Sequence, residues 1–485
     1  MREYAIMDVE TTLLKNGERP KTKFWGYYDG ENYERFETTG KFLRFLKSQP
    51  PRTILHHANF DVIQLLMDGA EMEIHKSHNG RLIKCGLGEH ITLNSFSCFP
   101  IALKQVFAAF GHKKTDLSKL AKRNYDDCVL GLQCFMALDE IFQNLVGVSP
   151  LQKGTIAGTG FAAAEKTAGK MPKDLRFLEA YRGGRVEVFD TREMLASKYD
   201  ICSSYPASIL NAPEKDTLLK LRVTTKDFYC PFFDSNVADM LLFPNGTFST
   251  FIYESNLEKH IAPFMEKTDV KVISRHNIDL RWLCKLKELV AMAYERKQSS
   301  EGGVRLICKL LLNSLYGRMG LKGESERARV TNYPVDGDDI ICEYIGKKRW
   351  LVFEKQQREC RSNYPFAAFI TDNARCRLFQ AFKQNGAVYG DTDSLFTRSE
   401  DFIGECGEEC GKWKYEGRNK LKAQNIKDYV FGDEEVRKGG SDFLTWTLKR
   451  FASGGNVVAT HRERRTGLRK RTVLPNGETV PLVVK

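Results

Sequence analysis

The sequence predicts an α/β fold that is divided among several domains. The chain has 485 residues, which is too long for one hydrophobic core and indicates roughly two to four domains. Residues 1–150 alternate short strand-like runs, such as YAIMDV and TILHHA, with helical runs, such as FDVIQLLMDG. That alternation is typical of α/β proteins. The hydrophobic fraction of 42% is that of a globular chain.

The later elements follow from local patterns in the same way. The stretch Gly154–Gly169 is rich in Gly, Lys and Ala and is predicted to be a connector. Residues 282–320 predict helices that are interrupted at SSEGG, and residues 325–360 predict strands and turns. A further helix is predicted over Tyr364–Phe382, and it leads into the strand-like run VYGDTDSLF.

The charge of the chain favours a polyanionic partner. Its formal net charge is +12, and its isoelectric point is about 9.0. Such a balance points to nucleic acid above all, although charge that only confers solubility remains an alternative. No apolar run is long enough to span a bilayer, and MREYAIMDVETT has no signal-peptide pattern. We therefore expect a cytoplasmic protein that does not bind a membrane.

The cysteines favour reduced thiols over a disulfide framework. There are 13 of them, an odd number, and they are scattered through apolar stretches. Cys406 and Cys410 are the one close pair, and no second ligand pair lies near them in the sequence. Their spacing is loose for a zinc knuckle, so a structural zinc site is not favoured.

Two carboxylates stand next to each other in the run VYGDTDSLF, which spans Val388–Phe396. On a strand, Asp391 and Asp393 would face the same way and repel each other. Asp200 in YDICSSYP also ends a strand-like run. A divalent metal would offset the repulsion at both places. A hairpin turn, for which Asp is a good residue, is the alternative for Asp-Thr-Asp alone.

A polar stripe runs along the predicted helix RLICKLLLNSLYGRMG. Arg305, Lys309, Asn313 and Tyr316 are spaced so that they lie on one helical face. Lys and Arg suit phosphate groups, and a tyrosine suits a stacked base. A solvated helix face is the usual meaning of such a stripe, but solvated faces rarely carry a tyrosine followed by glycine.

DICSSYP, KLLLNSLYG and YGDTDS occur in that order, and together they resemble the three polymerase motifs of family B DNA polymerases. The resemblance implies that Asp200 and Asp393 bind two catalytic metal ions, Mg²⁺ or Mn²⁺, with Asp391 assisting. It also implies that the backbone carbonyl of Ile201 touches a metal. Each motif alone is moderate evidence, and their order makes the resemblance specific.

The same resemblance assigns a gate to the first motif. Tyr205 would exclude a ribose 2′-hydroxyl and so select deoxynucleotides. Ser204 stands where the family usually has leucine. That position packs, so we expect no loss of chemistry.

The helical motif would bind the incoming dNTP. The resemblance implies that Lys309 and Lys297 contact its phosphates. Arg305 stands where a lysine is common and preserves the charge. Asn313 and Tyr316 would contact the nascent base pair.

Four acids in the first part of the chain have a separate interpretation. Asp8 and Glu10 in IMDVETT are two apart on a strand, and Asp61 and Asp127 are each predicted to open a helix. Taken alone, the helix-opening acids have a structural explanation, because the helix dipole stabilises them. As a set, the four resemble the 3′–5′ proofreading domain of the same family. That resemblance implies two metal ions that activate water against the terminal phosphodiester.

The second exonuclease motif departs from the family pattern. The family usually has asparagine four residues before Asp61, and this chain has His57 there. His57 could still hydrogen-bond the end of a DNA strand. Asn59 is the alternative for that role.

The third exonuclease motif departs as well. The family usually has tyrosine four residues before its aspartate, but Arg123 precedes Asp127 at that distance. Tyr125 could take the tyrosine's place after a local shift. Asp126 remains an alternative to Asp127 as the ligand.

Two shorter motifs would grip DNA. YRGG resembles the Tyr-x-Gly-Gly motif that joins the exonuclease and polymerase domains and binds the template, and the residues are Tyr181, Arg182, Gly183 and Gly184. KDY resembles the Lys-x-Tyr motif that holds the primer end, through Lys427 and Tyr429.

The resemblance extends to the protein-primed branch of the family, found in small phages, linear plasmids and related mobile elements. In that branch one insertion docks a terminal protein, and a second surrounds the template and supports strand displacement. The basic run at Arg462–Arg471 would belong to a small thumb. The expected domains are an exonuclease (1–160) and a polymerase (175–485) made of palm (181–211 and 363–430), first insertion (212–285), fingers (286–320), second insertion (321–362) and thumb (431–485).

We therefore expect an RNase H-like exonuclease domain followed by a right-hand polymerase of palm, fingers and thumb. The expected activity is DNA-directed DNA synthesis for a phage or mobile element, with 3′–5′ proofreading. Expected partners are template and primer DNA, dNTPs and a terminal protein, bound by a monomer. The alternatives are a family B polymerase that uses a nucleic-acid primer or none, a DNA-binding protein with decayed sites, and a reverse transcriptase.

Overall fold

The predicted alternation of strands and helices is present at the start of the computed structural model. The structure describes residues 3–12, 20–57, 59–78, 80–237, 241–337, 340–357, 359–437 and 471–484. The elements before the YRGG motif are, in chain order, β1 (Tyr4–Thr11), β2 (Thr22–Tyr28), β3 (Tyr33–Phe36), α1 (Thr39–Ser48), β4 (Thr53–His56), α2 (Phe60–Asp68), β5 (Glu73–His78), β6 (Arg81–Leu87), β7 (His90–Asn94), α3 (Ser95–Cys98), α4 (Leu103–Ala109), α5 (Leu120–Val146), α6 (Pro150–Lys153) and α7 (Ile156–Ala168).

The rest of the chain alternates sheets with helices. Its elements are β8 (Val186–Val188), β9 (Met194–Ile201), α8 (Ser204–Leu210), β10 (Lys215–Thr225), β11 (Asn245–Tyr253), α9 (Glu254–Asn256), β12 (Thr268–Asp279), α10 (Arg281–Cys284), α11 (Lys287–Ser299), α12 (Gly302–Ser314), β13 (Glu324–Thr331), β14 (Ile340–Gly346), β15 (Arg349–Gln357), α13 (Tyr364–Asn385), β16 (Ala387–Asp391), β17 (Ser394–Thr397), β18 (Trp413–Asn425), β19 (Asp428–Phe431), β20 (Glu434–Arg437), β21 (Arg471–Val473), β22 (Thr479–Pro481) and β23 (Val483–Val484).

The first sheet joins two distant parts of the chain. Its strand order is β14-β15-β13-β5-β6-β7-β4-β1-β2-β3, with β1 parallel to β4 and antiparallel to β2. Strand β13 meets β5 at Glu326 and Ser77, and the Ser77 hydroxyl donates to the Glu326 carbonyl at 3.3 Å. Phe353 of β15 is buried in the same core as Trp25 and Phe42. The strands from residues 321–362 therefore extend the N-terminal sheet.

A second sheet carries the DICSSYP and YGDTDS motifs, and its strand order is β20-β19-β18-β9-β17-β16-β8. Strand β9 lies at its centre, antiparallel to β17 and β18. A separate four-stranded sheet, β12-β10-β11-β23, follows α8 in the chain. Helix α13 packs against β16 and β17 of the second sheet.

The expected connector at Gly154–Gly169 is wrong, because most of it forms helix α7. Thr155 caps this helix by accepting a hydrogen bond from the Gly158 N–H, and Gly169 ends it with φ of +81°. Helix α7 packs against α12, and a Cβ at Gly160 would lie 2.1 Å from the Ser314 hydroxyl oxygen. The glycine permits close helix packing here, whereas the sequence pattern suggested a loop.

Helix α5 begins earlier than predicted. It starts at Leu120, so Asp127 lies two turns inside it and does not open it. The dipole of the helix N-terminus therefore does not account for this acid. In the described part of the chain, α5 alone has a length and composition that could cross a membrane. It packs against β1 and β2 and carries the buried acids Asp126, Asp127 and Asp139.

The expected reduced cysteines are consistent with the structure, in which all 13 are free. The domain limits given above remain a prediction. Helix α7 runs past the predicted exonuclease limit at residue 160, and β20 of the predicted thumb pairs with β19 of the second sheet. Residues 462–470 of the predicted basic run lie outside the described residues.

Candidate active sites

The run VYGDTDSLF forms a hairpin beside Asp200. Strands β16 and β17 pair antiparallel, with Asp391 opposite Ser394, and Thr392 at the turn has φ of +63°. Ser394 is in turn opposite Asp200 of β9. The Ile201 N–H donates to the Asp393 carbonyl at 2.7 Å. Turn and site are thus compatible, because the turn itself brings Asp393 to Asp200.

Burial makes this pair of carboxylates difficult to ionise. It raises the pKa of Asp200 to about 6, although Lys198 acts in the opposite direction. Burial also raises the pKa of Asp393 to about 6, and the charges of Asp200 and Asp391 add to that effect. Two neighbouring carboxylates with raised pKa values fit a divalent cation, which would offset their mutual repulsion.

Asp391 differs because the protein already supplies its hydrogen-bond donors. Lys427 Nζ donates to Asp391 Oδ1 at 2.9 Å, and the Thr392 hydroxyl donates to the same oxygen at 3.1 Å. The Tyr389 hydroxyl donates to Asp391 Oδ2 at 3.3 Å. Asp200 and Asp393 are therefore the better candidates for metal ligands, and Asp391 is oriented by its neighbours.

An aromatic cluster lies beside the hairpin. The rings of Tyr205 and Tyr316 are 4.3 Å apart at an angle of 41°. A Cβ at Gly184 would lie 2.9 Å from the Tyr205 hydroxyl oxygen, and one at Gly320 would lie 2.2 Å from the Tyr181 ring. Tyr316 reaches this cluster because α12 ends at Ser314 and the chain turns. The structure thus brings the predicted gate, the YRGG loop and the helical motif together.

Three of the four residues of the predicted polar stripe lie on one face of α12, whereas Tyr316 follows the end of the helix. Arg305, Lys309 and Asn313 are exposed, whereas Ile307 and Leu311 are buried. This is the arrangement expected for a helix that packs on one side and presents cations on the other.

Lys297 on α11 belongs to the same cationic group. Its ammonium donates to the Ser203 hydroxyl at 3.2 Å and lies 4.5 Å from the centre of the Tyr294 ring. Burial lowers the pKa of Lys297, and the charges of Arg305 and Lys309 contribute. Lys297 therefore adjoins the loop between Asp200 and Tyr205, and the charges of Arg305 and Lys309 act on it from the neighbouring helix.

The backbone of the YRGG loop accepts hydrogen bonds from a residue that the motifs did not indicate. Arg375 on α13 donates to the Arg182 carbonyl at 2.6 Å and to the Gly183 carbonyl at 3.1 Å. Asp372 accepts from the Arg375 guanidinium at 3.4 Å. The guanidinium of Arg182 donates to backbone carbonyls, including those of Leu178 and Ser235.

The two residues of the Lys-x-Tyr motif occupy different environments. Lys427 binds Asp391, as described above, and its backbone N–H donates to the Tyr389 hydroxyl at 2.9 Å. Tyr429 is buried and packs against Tyr389 and Phe396, with ring centroids 5.2 Å and 5.3 Å apart. Tyr429 thus contributes to the core of the sheet in this structure, and its contact with a primer remains a prediction.

The four N-terminal acids line one cavity of about 630 Å³. Strand β1 supplies Asp8 and Glu10, α2 supplies Asp61, and α5 supplies Asp127. The Val9 N–H donates to Asp61 Oδ1 at 3.0 Å, which fixes α2 against β1. Residues more than 100 positions apart in the sequence are thus brought to one site.

The electrostatics of this cavity are those of crowded carboxylates. Burial raises the pKa of Asp8 well above its usual value, and the charges of Asp61, Asp127 and Glu10 add to it. Burial also raises the pKa of Glu10, and that of Asp61 to about 7. Asp127 Oδ1 is buried and accepts no hydrogen bond from any described residue. This donor set fits a divalent cation.

The side chains of the acids are not grouped as a complete set of metal ligands. Across the described ranges, no three His, Cys, Asp or Glu side chains are grouped closely enough to hold an ion. Two positively charged side chains lie among the acids instead. Lys114 donates to Asp127 Oδ2 at 2.9 Å, and Arg123 Nε lies 3.6 Å from the same oxygen. Lys114 was not among the predicted residues, and the motif patterns gave no signal for it.

Of the alternatives left open by the sequence, the structure places Asp127 in the cavity. Asp126 instead accepts a hydrogen bond from Thr115 and pairs with Lys122 at 3.3 Å. Tyr125 is exposed and packs edge-on against Tyr33. Asp126 and Tyr125 are therefore turned away from the other acids.

His57 and Asn59 also separate. His57 lines the cavity, its ring stacks on Phe135, and burial lowers its pKa to about 4. Asn59 uses its amide to hold the chain near β6, donating to the Gly80 carbonyl at 3.0 Å and accepting from the Leu82 N–H at 3.0 Å. His57 is thus the better placed of the two to meet a DNA strand.

Comparisons with known proteins agree with the motifs. Residues 165–333 match the family described as "DNA polymerase type B, organellar and viral". The DNA-directed DNA polymerase of Enterobacteria phage PRD1 is 23% identical over 480 residues, which cover 90% of this chain and 85% of that protein. The DNA polymerase of Streptococcus phage Cp-1 is 27% identical over 157 residues, which cover 31% of this chain and 25% of that one.

Solved structures share the fold. Phi29 DNA polymerase complexed with primer-template DNA superimposes with a TM-score of 0.66 at 17% identity, covering 100% of this chain and 99% of that one. Its ternary complex with incoming nucleotide substrates gives 0.65 at 16% identity, covering 92% and 94%. The α/β fold class is thereby confirmed. On the sequence matches and its three ordered motifs, the chain is a DNA polymerase, and its residues 165–333 match the type B family of organelles and viruses.

Proposed function

We propose that this DNA polymerase is protein-primed and strand-displacing, and that it proofreads with a 3′–5′ exonuclease. The observation that carries the proposal is the presence of two separate carboxylate clusters on two different sheets. One contains Asp200 and Asp393, and the other contains Asp8, Glu10 and their partners. In each cluster, carboxylates whose charges repel one another lie close together, which suits a metal-dependent reaction on a phosphodiester.

In the synthetic reaction, the primer 3′-hydroxyl attacks the α-phosphate of a dNTP and pyrophosphate leaves. Asp200 and Asp393 would hold two divalent ions, which supply charge to the attacking and leaving oxygens. Lys297, Arg305 and Lys309 bind and orient the triphosphate from the fingers side. Lys427 and Tyr389 keep Asp391 in position beside the reacting groups.

In the proofreading reaction, Asp8, Glu10, Asp61 and Asp127 would hold the ions that activate water against the terminal phosphodiester. His57, at the edge of the cavity, would contact the single strand.

Protein priming is supported by the two inserted β regions. Strands β10 to β12 lie between α8 and α10 of the polymerase, and β13 to β15 lie between α12 and α13. By the resemblance, the first would dock a terminal protein that presents the initiating hydroxyl. The second would surround the template and separate the strands.

Reciprocal substitutions test the assignment of the two sites. Asp393→Ala should abolish nucleotide addition in a primer-extension assay and leave degradation of a 5′-labelled single strand intact. Asp8→Ala combined with Glu10→Ala should do the reverse. Normal extension by the first variant, or unchanged degradation by the second, would refute the corresponding assignment.

Priming is tested separately. Purified polymerase is given a template alone, a template with a candidate terminal protein, or a template with an annealed oligonucleotide. Synthesis only in the presence of the terminal protein supports protein priming. Synthesis without it, or only from an annealed oligonucleotide, would favour a polymerase that needs a nucleic-acid primer or none.

A further inference from the structure

Two cations occupy the exonuclease cavity, and they are bound very differently. Lys114 makes a 2.9 Å hydrogen bond to Asp127 Oδ2, so its ammonium is well placed. Arg123 Nε lies 3.8 Å from Glu10 Oε1 and 3.6 Å from Asp127 Oδ2. At those distances the guanidinium is attracted to both carboxylates without a hydrogen bond to either.

The polar atoms around Arg123 are incompletely satisfied. Arg123 Nε is buried and makes no hydrogen bond within the described structure, and neither does the buried Asp127 Oδ1. A buried guanidinium N–H without an acceptor is costly, and a planar guanidinium binds phosphate oxygens in a bidentate manner. Arg123 would therefore gain hydrogen bonds by moving to a phosphate, whereas Lys114 would lose one.

The charge of the cavity makes such a movement useful. Four carboxylates face Lys114 and Arg123, with Lys23 at the edge. A divalent ion that binds Glu10 and Asp127 must compete with the guanidinium between them. A DNA 3′ end brings negative phosphate into the same cavity and needs a cation to receive it.

We propose that Arg123 is a movable counter-ion, which balances Glu10 and Asp127 before metal binds and transfers to a phosphate of the DNA 3′ end when metal replaces it. This inference rests on the proposed exonuclease function. Metal binding and strand binding would each favour the other in this chain, because both require Arg123 to leave the two acids. Arg123 would thus hold the exonuclease site in a low-affinity state for metal until a strand end arrives.

The test compares Arg123→Gln with Lys122→Gln, a matched control that removes the same charge from the neighbouring residue. Lys122 is exposed and pairs with Asp126, outside the cavity. All variants are made in the full chain carrying Asp200→Ala and Asp393→Ala, so that Mn²⁺ binding reports on the exonuclease site. Free Mn²⁺ is measured by electron paramagnetic resonance. Single-strand binding is measured by anisotropy with Ca²⁺, and the DNA is checked for integrity on a gel.

Arg123→Gln should bind Mn²⁺ about tenfold more tightly, because a unit charge next to the ion is removed. It should bind the single strand about fivefold or more weakly, because a phosphate ligand is lost. Arg123→Lys should lie between wild type and Arg123→Gln in both measurements, and Lys122→Gln should match wild type. Unchanged Mn²⁺ affinity or unchanged strand affinity in Arg123→Gln would overturn the inference.

Asp8→Ala combined with Glu10→Ala separates this failure from failure of the proposed function. If that variant still binds Mn²⁺ as wild type does, the acids are not the metal site, and the exonuclease assignment fails with the inference. If it loses Mn²⁺ binding while Arg123→Gln behaves as wild type, the exonuclease assignment stands and only the role of Arg123 is wrong.

Discussion

The Lys427 ammonium donates a hydrogen bond to a carboxylate oxygen of Asp391 at 2.9 Å. Asp391 ends β16, whereas Lys427 lies in the turn between β18 and β19, 36 positions further along the chain. This ion pair gives the two acids of the DTD hairpin different environments. The positive charge of Lys427 balances the carboxylate of Asp391, whereas Asp393 faces Asp200 and has a raised pKa. Asp391 and Lys427 should therefore act as a unit that positions Asp393.

Removing the Lys427 charge should impair synthesis. We expect Lys427→Met to lower the rate of nucleotide addition by about tenfold or more, since a charge-assisted hydrogen bond that orients Asp391 is lost. The measurement is single-nucleotide incorporation at saturating dNTP. Lys420→Met is the matched control, because Lys420 is 78% exposed and lies 3.9 Å from its partner Glu193. Equal rates for the two variants would contradict the positioning role.

Gly320 and Gly317 offer a paired test of the aromatic cluster. A Cβ at Gly320 would lie 2.2 Å from the Tyr181 ring, whereas one at Gly317 would meet nothing within 4 Å. Gly320→Ala should therefore displace Tyr181 and weaken primer-template binding several-fold, while Gly317→Ala should leave it unchanged. Fluorescence anisotropy with labelled primer-template measures both. Similar affinities for the two variants would show that the Tyr181 loop does not contribute to DNA binding.

The raised pKa values predict how metal stabilisation depends on pH. Asp200 and Asp393 have a pKa of about 6 in the folded chain, compared with 3.8 for an ordinary aspartate. Between those values the folded state holds protons that the unfolded state has released. Stability from these groups therefore falls as pH rises through this window. The burial penalty is fully present above pH 6 and persists at pH 8.

A divalent ion relieves that penalty only when the carboxylates are ionised. The difference in Tm between Mg²⁺ and EDTA should consequently be small at pH 5 and larger at pH 8. Asp61, with a pKa of about 7, extends the effect to higher pH. Differential scanning fluorimetry across this range checks it. A difference that does not change with pH, or that shrinks at pH 8, would argue against metal binding by these acids.

Features set by neighbouring residues could be predicted from the sequence. The DTD hairpin follows from two acids at strand spacing beside a turn, and the stripe on α12 follows from helical periodicity. The helix in which Asp127 lies begins at Leu120, and neither an N-cap side chain nor an acidic first turn marks that point. Without those signals, the sequence pattern predicts a start near Asp127, which is too late by about two turns.

Contacts between distant residues were not predictable in the same way. Arg375 binds the YRGG loop across 193 positions, and Lys114 reaches Asp127 from a loop with no recognisable pattern. The pairing of β13 with β5 joins residues 249 positions apart. Strand partners and buried ion pairs of this kind depend on the complete packing of the chain, because no local period specifies them.

The shared sheet of β5 and β13 affects how truncations of this protein can be interpreted. Deleting residues 321–362 would uncover one side of β5, whose unpaired N–H and C=O groups could then recruit another chain. It would also remove Phe353 from a core that contains Trp25 and Phe42. Aggregation of such a shortened protein, or loss of the proposed proofreading, would report damage to its first 100 residues. A replacement that retains β13 and exchanges only the β14–β15 hairpin would isolate the insertion's own contribution.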